Sequence, residues 1–371
     1  MSVMLGAGDV DRLLSLLADE GYETLGPVVK DDAISYGPVS SASDLPYGLV
    51  DEQGPGRFRL IESDAPPAFF DALPGQASWK EVVIPARETL WEATSTDGRW
   101  EFRPTHPEDR LLALIGVRAC ELAAFAVLDR IFIGGTGMDP RYGMRRDNLF
   151  VVAVECGRAA PTCFCTSMET GPRVDPGHGA DLVLTELPGT GFIARGDAER
   201  GFDILTRLQP RSATVEELEA GIQRTIETAE SITRHLDLEG LREGIASAAG
   251  TAVWGDLEER CMACGNCTLA CPTCFCSSAE DVSDLDGTEA RRDRVWASCF
   301  SLDYSYMYGH TVRNGVGTRY RHWITHKLST WVDQFGSYGC VGCGRCITWC
   351  PVGIDIVEEA SRIVKREFTN A

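Results

Sequence analysis

No stretch of the 371-residue chain approaches the roughly 18 consecutive apolar residues that a membrane-spanning helix needs, so no membrane span is expected. The opening MSVMLGAGDVDRLL lacks a basic flank, a twin arginine and an apolar run of signal-peptide kind, which points to a cytoplasmic location. Positive charge is scarce, with 35 Lys and Arg against 55 Asp and Glu and a net charge of −20. A nucleic-acid role would need a local basic stripe strong enough to overcome that field. Arg141, Arg145 and Arg146 form the densest cluster and read as a solvated face, so no nucleic-acid partner is expected. A phosphate-cradling glycine loop is also missing, because Gly134 to Gly137 run into Met138, Asp139 and Pro140, a turn rather than a helix start.

Cysteine is what the chain has in excess, with 15 in all. In a reducing compartment that number argues for metal ligation or catalysis rather than disulfides. The remaining composition, 44% apolar and 24% charged, is that of a folded chain with two or three domains.

Residues 9 to 20 place leucines at 13, 14, 16 and 17 after an acidic start, which predicts a short amphipathic helix. Residues 22 to 39 read as two strands with a turn at Lys30 to Asp32, and residues 37 to 80, rich in Gly, Pro, Ser and Asp, read as loop. Farther on, LLALIGV (111 to 117) and LFVVAV (149 to 154) are continuous apolar runs. Between them Leu122, Phe125, Leu128 and Phe132 share one helical face, and DLVLTEL (181 to 187) follows as a further strand. Strand, helix, strand is a βαβ unit with parallel strands. After a break at Leu208 to Ala213, Thr214 and Glu217 form a capping box opening a helix with Leu218, Ile222, Ile226 and Ala229 on one face. Beyond it the patterns are mainly helical, and a domain boundary is placed near residue 210.

Cys261, Cys264, Cys267 and Cys271, and again Cys340, Cys343, Cys346 and Cys350, follow C-x2-C-x2-C-x3-C-P. This is the bacterial ferredoxin spacing, in which the fourth cysteine of each run ligates the cluster of the other. Cys261, Cys264, Cys267 and Cys350 are thus expected to hold one [4Fe–4S] cluster, and Cys340, Cys343, Cys346 and Cys271 the second. Zinc knuckles and plain buried thiols are the alternatives, but zinc sites usually split their ligands into two distant pairs. The separation between the runs is too long for compact ferredoxin hairpins, and the aromatic segment between them carries His310, His322 and His326, read as packing groups rather than ligands. The fold class expected is therefore α+β: an N-terminal α/β domain (1–210) with a parallel βαβ unit, and a C-terminal helical two-cluster ferredoxin domain (211–371).

The pentapeptide PTCFC occurs at 161 to 165 and again at 272 to 276. In the first copy, Cys163 and Cys165 follow Cys156, which ends one predicted parallel strand, while Cys120 ends another. Ligands collect outside such strand ends, so these four thiols can converge on a third [4Fe–4S] cluster. Burial as small apolar groups, a zinc site or redox thiols are the alternatives. In the second copy Cys274 and Cys276, like Cys299, are surplus to two ligated cubes and are not expected to bind iron.

CMACGNCTLACPTCFC, RRDRVWASC, RYRHWITHK and CVGCGRCITWCPVGIDI resemble the iron–sulfur beta subunit of cytosolic sulfhydrogenases, the NAD(P)-linked [NiFe] hydrogenases, and equally the A subunit of anaerobic sulfite reductase. GVRACELAAFAVLDRIF and CFCTSMETGP in the first half agree. The resemblance implies an electron-transfer subunit without catalytic residues of its own. Its implied partners are a flavin subunit that binds NAD(P) and a catalytic hydrogenase or sulfite reductase subunit. Two CxxC pairs at opposite ends of the chain, which would suit nickel–iron ligation, are lacking. The rival reading is a free-standing enzyme that reduces sulfur or polysulfide at an open iron, or at a thiol site of Cys274, Cys276 and Cys299.

Overall fold

The computed structural model describes residues 2–135, 137–250 and 252–369. Its strands are β1 (Ser2–Leu5), β2 (Glu23–Lys30), β3 (Ala33–Pro38), β4 (Leu49–Gly54), β5 (Arg57–Glu62), β6 (Arg87–Thr96), β7 (Arg99–Pro104), β8 (Leu112–Val117), β9 (Leu149–Val154), β10 (Leu182–Leu187), β11 (Gly191–Gly196), β12 (Arg211–Ser212), β13 (Ser277–Ser283), β14 (Glu289–Trp296), β15 (Tyr306–Met307) and β16 (His310–Thr311). Eight of them form one sheet in the order β12-β1-β11-β10-β9-β8-β2-β3. At its centre β2, β8, β9 and β10 run parallel, and antiparallel strands flank them on both sides.

The apolar runs of β8 and β9 are explained by burial on both faces. Phe150, Val152 and Val154 of β9 enter one core with Leu13, Leu14 and Leu17 of the helix Asp9–Asp19. Leu149, Val151 and Ala153 enter the opposite core with Leu122, Phe125 and Leu128 of the helix Ala119–Phe132. The βαβ expectation thus corresponds to β8, that helix and β9.

The segment 37 to 80 is not all loop. It contains the hairpin β4–β5, whose mostly half-exposed residues give no apolar alternation to read. Residues Phe69 and Phe70 then cover the sheet, with their backbone N–H groups donating to the buried Glu186 at 2.7 and 3.0 Å.

Two features cross residue 210. Strand β12 pairs with β1, and the helix Val215–Glu230, opened by Thr214 and Glu217 as expected, brings Gly221 against Ile193 of β11 and Thr185 of β10. Beyond it the chain is helical in most of its elements but not in all. β13 and β14 form a hairpin that joins β6 and β7 in a four-stranded sheet, order β13-β14-β6-β7. All seven residues of β13 are exposed, so it carries no buried face that would mark it as a strand. The rest of the C-terminal half packs the helices Leu241–Ser247, Val316–Thr325 and Ile356–Thr369 around Trp254, Leu257, Phe300, Trp323 and Ile347. Among the described residues no helix is long and apolar enough to cross a membrane.

Candidate metal centre

Each ferredoxin run builds the same local shape. An open loop carries the first two cysteines, a glycine with positive φ (Gly265 at 79°, Gly344 at 76°) turns the chain, and a one-turn helix, Asn266–Leu269 or Arg345–Thr348, presents the third. Backbone N–H groups point at sulfur, from Ala263 to Cys261 at 3.4 Å, Gly342 to Cys340 at 3.5 Å and Ile354 to Cys350 at 3.3 Å. N–H groups aimed at sulfur are one of the features that set cluster potentials.

The two runs cross. Cys261, Cys264 and Cys267 line one cavity together with Cys346 and Cys350 of the other run, and Phe300, Tyr320, Trp323, Ile354 and Ile356 close it with apolar surface. On the other side Cys346 lies in the electrostatic field of Cys340, Cys343 and Cys271. Burial pushes the Cys340 thiol up to about 12 and that of Cys346 well above its ordinary value, as it does for Cys267. Thiolates so placed need a cationic partner, and ligation by iron would supply one.

The four thiols of the first half also share one cavity. Cys120 opens the helix after β8, Cys156 lies just past β9, and Cys163 and Cys165 come from the PTCFC loop; Cys343 reaches the same wall. Burial drives the thiols of Cys120, Cys156, Cys163 and Cys165 up, that of Cys163 to about 12. Two buried guanidinium groups line the cavity, Arg118 and Arg345, 4% and 5% exposed. Arg118 donates through Nη2 to the Phe70 and Ala72 carbonyls and also hydrogen-bonds the Cys156 thiol. Arg345 pairs through Nη2 with Glu121 at 2.6 Å and also hydrogen-bonds the Cys343 thiol. Buried cationic donors on the thiols of this cavity fit an anionic thiolate-ligated cluster. Among the described residues no three His, Cys, Asp or Glu side chains close around a single ion.

The repeated pentapeptide has a structural role. Thr162 and Thr273, both 0% exposed, fasten the two PTCFC copies to the segment 339–348. From the first copy, Phe164 N–H donates to Gly342 O at 2.8 Å and Thr162 Oγ1 lies 2.9 Å from Thr348 Oγ1. From the second, Thr273 Oγ1 donates to Gly339 O at 2.7 Å. Packing is so close that a Cβ on Gly342, whose φ is +63°, would lie 2.6 Å from Cys165 N and from Phe164 O.

Of the surplus thiols, Cys274 hydrogen-bonds the Cys271 thiol, Cys276 lies against the Tyr304 hydroxyl, and Cys299 is buried near Cys267. His322 bonds Tyr304 (3.2 Å) and stacks on His326, which packs on Trp331 and Phe275. His310 sits on an exposed two-residue strand. None of the three lines either thiol cavity. Sequence reasoning missed the buried cations Arg118, Arg345, Lys80 and Lys327, whose partners come from distant segments and leave no local pattern.

Residues 260–354 match the family described as a 4Fe-4S dicluster domain. The chain is 30% identical over 326 residues, 87% of its own length and 90% of the relative's, to sulfhydrogenase 2 subunit beta of Pyrococcus furiosus. No solved structure matches it.

Proposed function

The chain belongs to the family of sulfhydrogenase beta subunits, and on that footing we propose that it is an electron relay carrying three [4Fe–4S] clusters within a cytoplasmic hydrogenase assembly. Cys261, Cys264, Cys267 and Cys350 hold the first, Cys271, Cys340, Cys343 and Cys346 the second, and Cys120, Cys156, Cys163 and Cys165 the third. Each cluster, when bound, accepts and returns single electrons. The chain's own residues do the rest. Phe300, Tyr320 and Trp323 keep water from the first site, Arg118 and Arg345 face the third with buried positive charge, and the glycine contacts at Gly342 and Gly344 bring the second and third against each other. The partners are a flavin subunit that binds NAD(P) and a catalytic subunit. Exposed Met262 and Val352 on the lip of the first cavity offer apolar surface for one of them.

The observation that carries this reading is the crossed convergence of thiols from opposite runs, with Cys343 also standing on the wall of the third cavity. Anaerobically reconstituted protein should bind about twelve irons per chain. Cys163→Ser should bring this to about eight while leaving the signals of the ferredoxin pair intact, and Cys274→Ser should change nothing. An iron content near eight in fully loaded wild type removes the third site. Density in which each run holds its own cluster overturns the crossed assignment.

A further inference from the structure

Two lysines are buried beside the second ferredoxin site, each 3% exposed. Lys327 lies in a π-turn, His326–Thr330, inserted between the helical turns Val316–Thr325 and Trp331–Phe335. Such an insertion re-aims the side chains it carries and is frequent at functional sites. Its Nζ donates to Thr273 Oγ1 at 2.8 Å and to Gly339 O at 3.1 Å. Both acceptors are neutral, and among the described residues no carboxylate pairs with it. The groups that act on it are the thiols of Cys271, Cys274 and Cys340, with Cys271 in hydrogen-bond reach. Lys80 comes from the other half of the chain, with Nζ 3.7 Å from the centre of the Trp296 ring and 3.4 Å from Leu269 O. It faces the same Cys274 and Cys271.

An ammonium group taken out of water without an anionic partner is costly, so this pair of lysines needs the thiolate charge beside it. The first site is built differently. Its walls are Phe300, Tyr320, Trp323, Ile354 and Ile356, and the cation acting on it is Arg319, tied to the Phe300 and Asn314 carbonyls.

We propose that Lys327, supported by Lys80, is a positioning and charge-compensating residue that sets the cluster on Cys271, Cys340, Cys343 and Cys346 at a higher reduction potential than the cluster on Cys261, Cys264, Cys267 and Cys350. This rests on the crossed assignment above. Reduction adds one electron, supplied by the external reductant, to a cluster whose thiolates already carry negative charge. A fixed positive charge at hydrogen-bond range stabilises the reduced state more than the oxidised one. The electron therefore rests on the second cluster, which the Gly342 and Gly344 contacts place against the third site.

The test is a potentiometric titration of the full, reconstituted chain followed by electron paramagnetic resonance. Cys264→Ser identifies the signal of the first cluster. In wild type the second cluster should be reduced first. Lys327→Met should make its reduction about tenfold less favourable, equivalent to about 59 mV for one electron, with the first cluster unmoved, and Lys327→Arg should restore most of the shift. Should Lys327→Met fail to load iron, Lys80→Met carries the same test with a smaller shift of the same sign. A first cluster that is reduced before the second, an unchanged second potential in the variants, or an arginine variant shifted as far as the methionine one overturns the proposal. Failure of the crossed assignment would appear separately, as Cys350→Ser disturbing the signal of the second cluster and leaving that of the first, identified by Cys264→Ser, intact.

Discussion

Arg345→Met tests how the two halves of the molecule are fastened together. Arg345 follows Cys343 by two residues, Glu121 follows Cys120 by one, and their side chains meet at 2.6 Å with 5% and 1% of their surface exposed. Tyr36 donates its hydroxyl to both carboxylate oxygens, at 2.9 and 3.0 Å. In the variant the carboxylate keeps only that hydroxyl and the Arg118 N–H at 3.4 Å. Removing one partner of a buried pair leaves an uncompensated charge and costs about 3–5 kcal/mol, against less than about 1 kcal/mol for an exposed pair. Glu121→Gln should be costly for the same reason, because it strands a guanidinium. The double variant removes both charges and keeps an acceptor for Tyr36, so it should be less destabilised than the sum of the singles. Anaerobic urea unfolding, read as the shift in midpoint at a common slope, measures all three. Single variants within about 0.5 kcal/mol of wild type, or a double variant equal to the sum, would refute the reasoning.

Gly342→Ala should disturb the contact between the PTCFC loop and the second ferredoxin run. The residue has φ +63° and its new Cβ would lie 2.6 Å from backbone atoms that cannot rotate away. Backbone strain alone is about 1–3 kcal/mol, and iron loading at the third site should fall with stability; full loading and an unchanged unfolding midpoint would count against the contact. Glu186 supplies a pH prediction. Burial, reinforced by Asp71 and opposed by the Phe69 and Phe70 N–H groups, raises its carboxyl to about 7. Its favourable contribution is thus complete below the unfolded value near 4.5 and is lost as pH rises toward about 7. Glu186→Gln abolishes that titration, so its stability relative to wild type should improve by up to about 3 kcal/mol across this window. Parallel stability curves from pH 5 to 8 would contradict the argument.

Some of this was legible because the determining signal is local. Ferredoxin spacing places three thiols within one short loop and turn, so the pattern C-x2-C-x2-C-x3-C-P could be read without knowing the path of the chain between its two copies. Burial of β8 and β9 on both faces forces unbroken apolar runs, and the capping box at Thr214 needs only residues three apart. The exposed β13 and the hairpin β4–β5 had no such signal, since neither turns a continuous apolar face to a core.

By itself, then, the sequence determined which cysteines are ferredoxin-like, that a parallel βαβ unit precedes them, and that two further thiols lie at its strand ends and two on the loop that follows. Tertiary structure alone decided what surrounds those thiols. A buried cation gains its place from anions and carbonyls brought from far along the chain: Lys80 meets Leu269, Arg345 meets Glu121, and Lys327 meets Thr273. Because the cost of burying a charge is set by all of its neighbours together, no short window of residues could have announced Lys327, and only the folded chain shows why PTCFC is written twice. Both copies fasten to the segment 339–348, Thr162 at Thr348 and Thr273 at Gly339, and both threonines are buried in doing so.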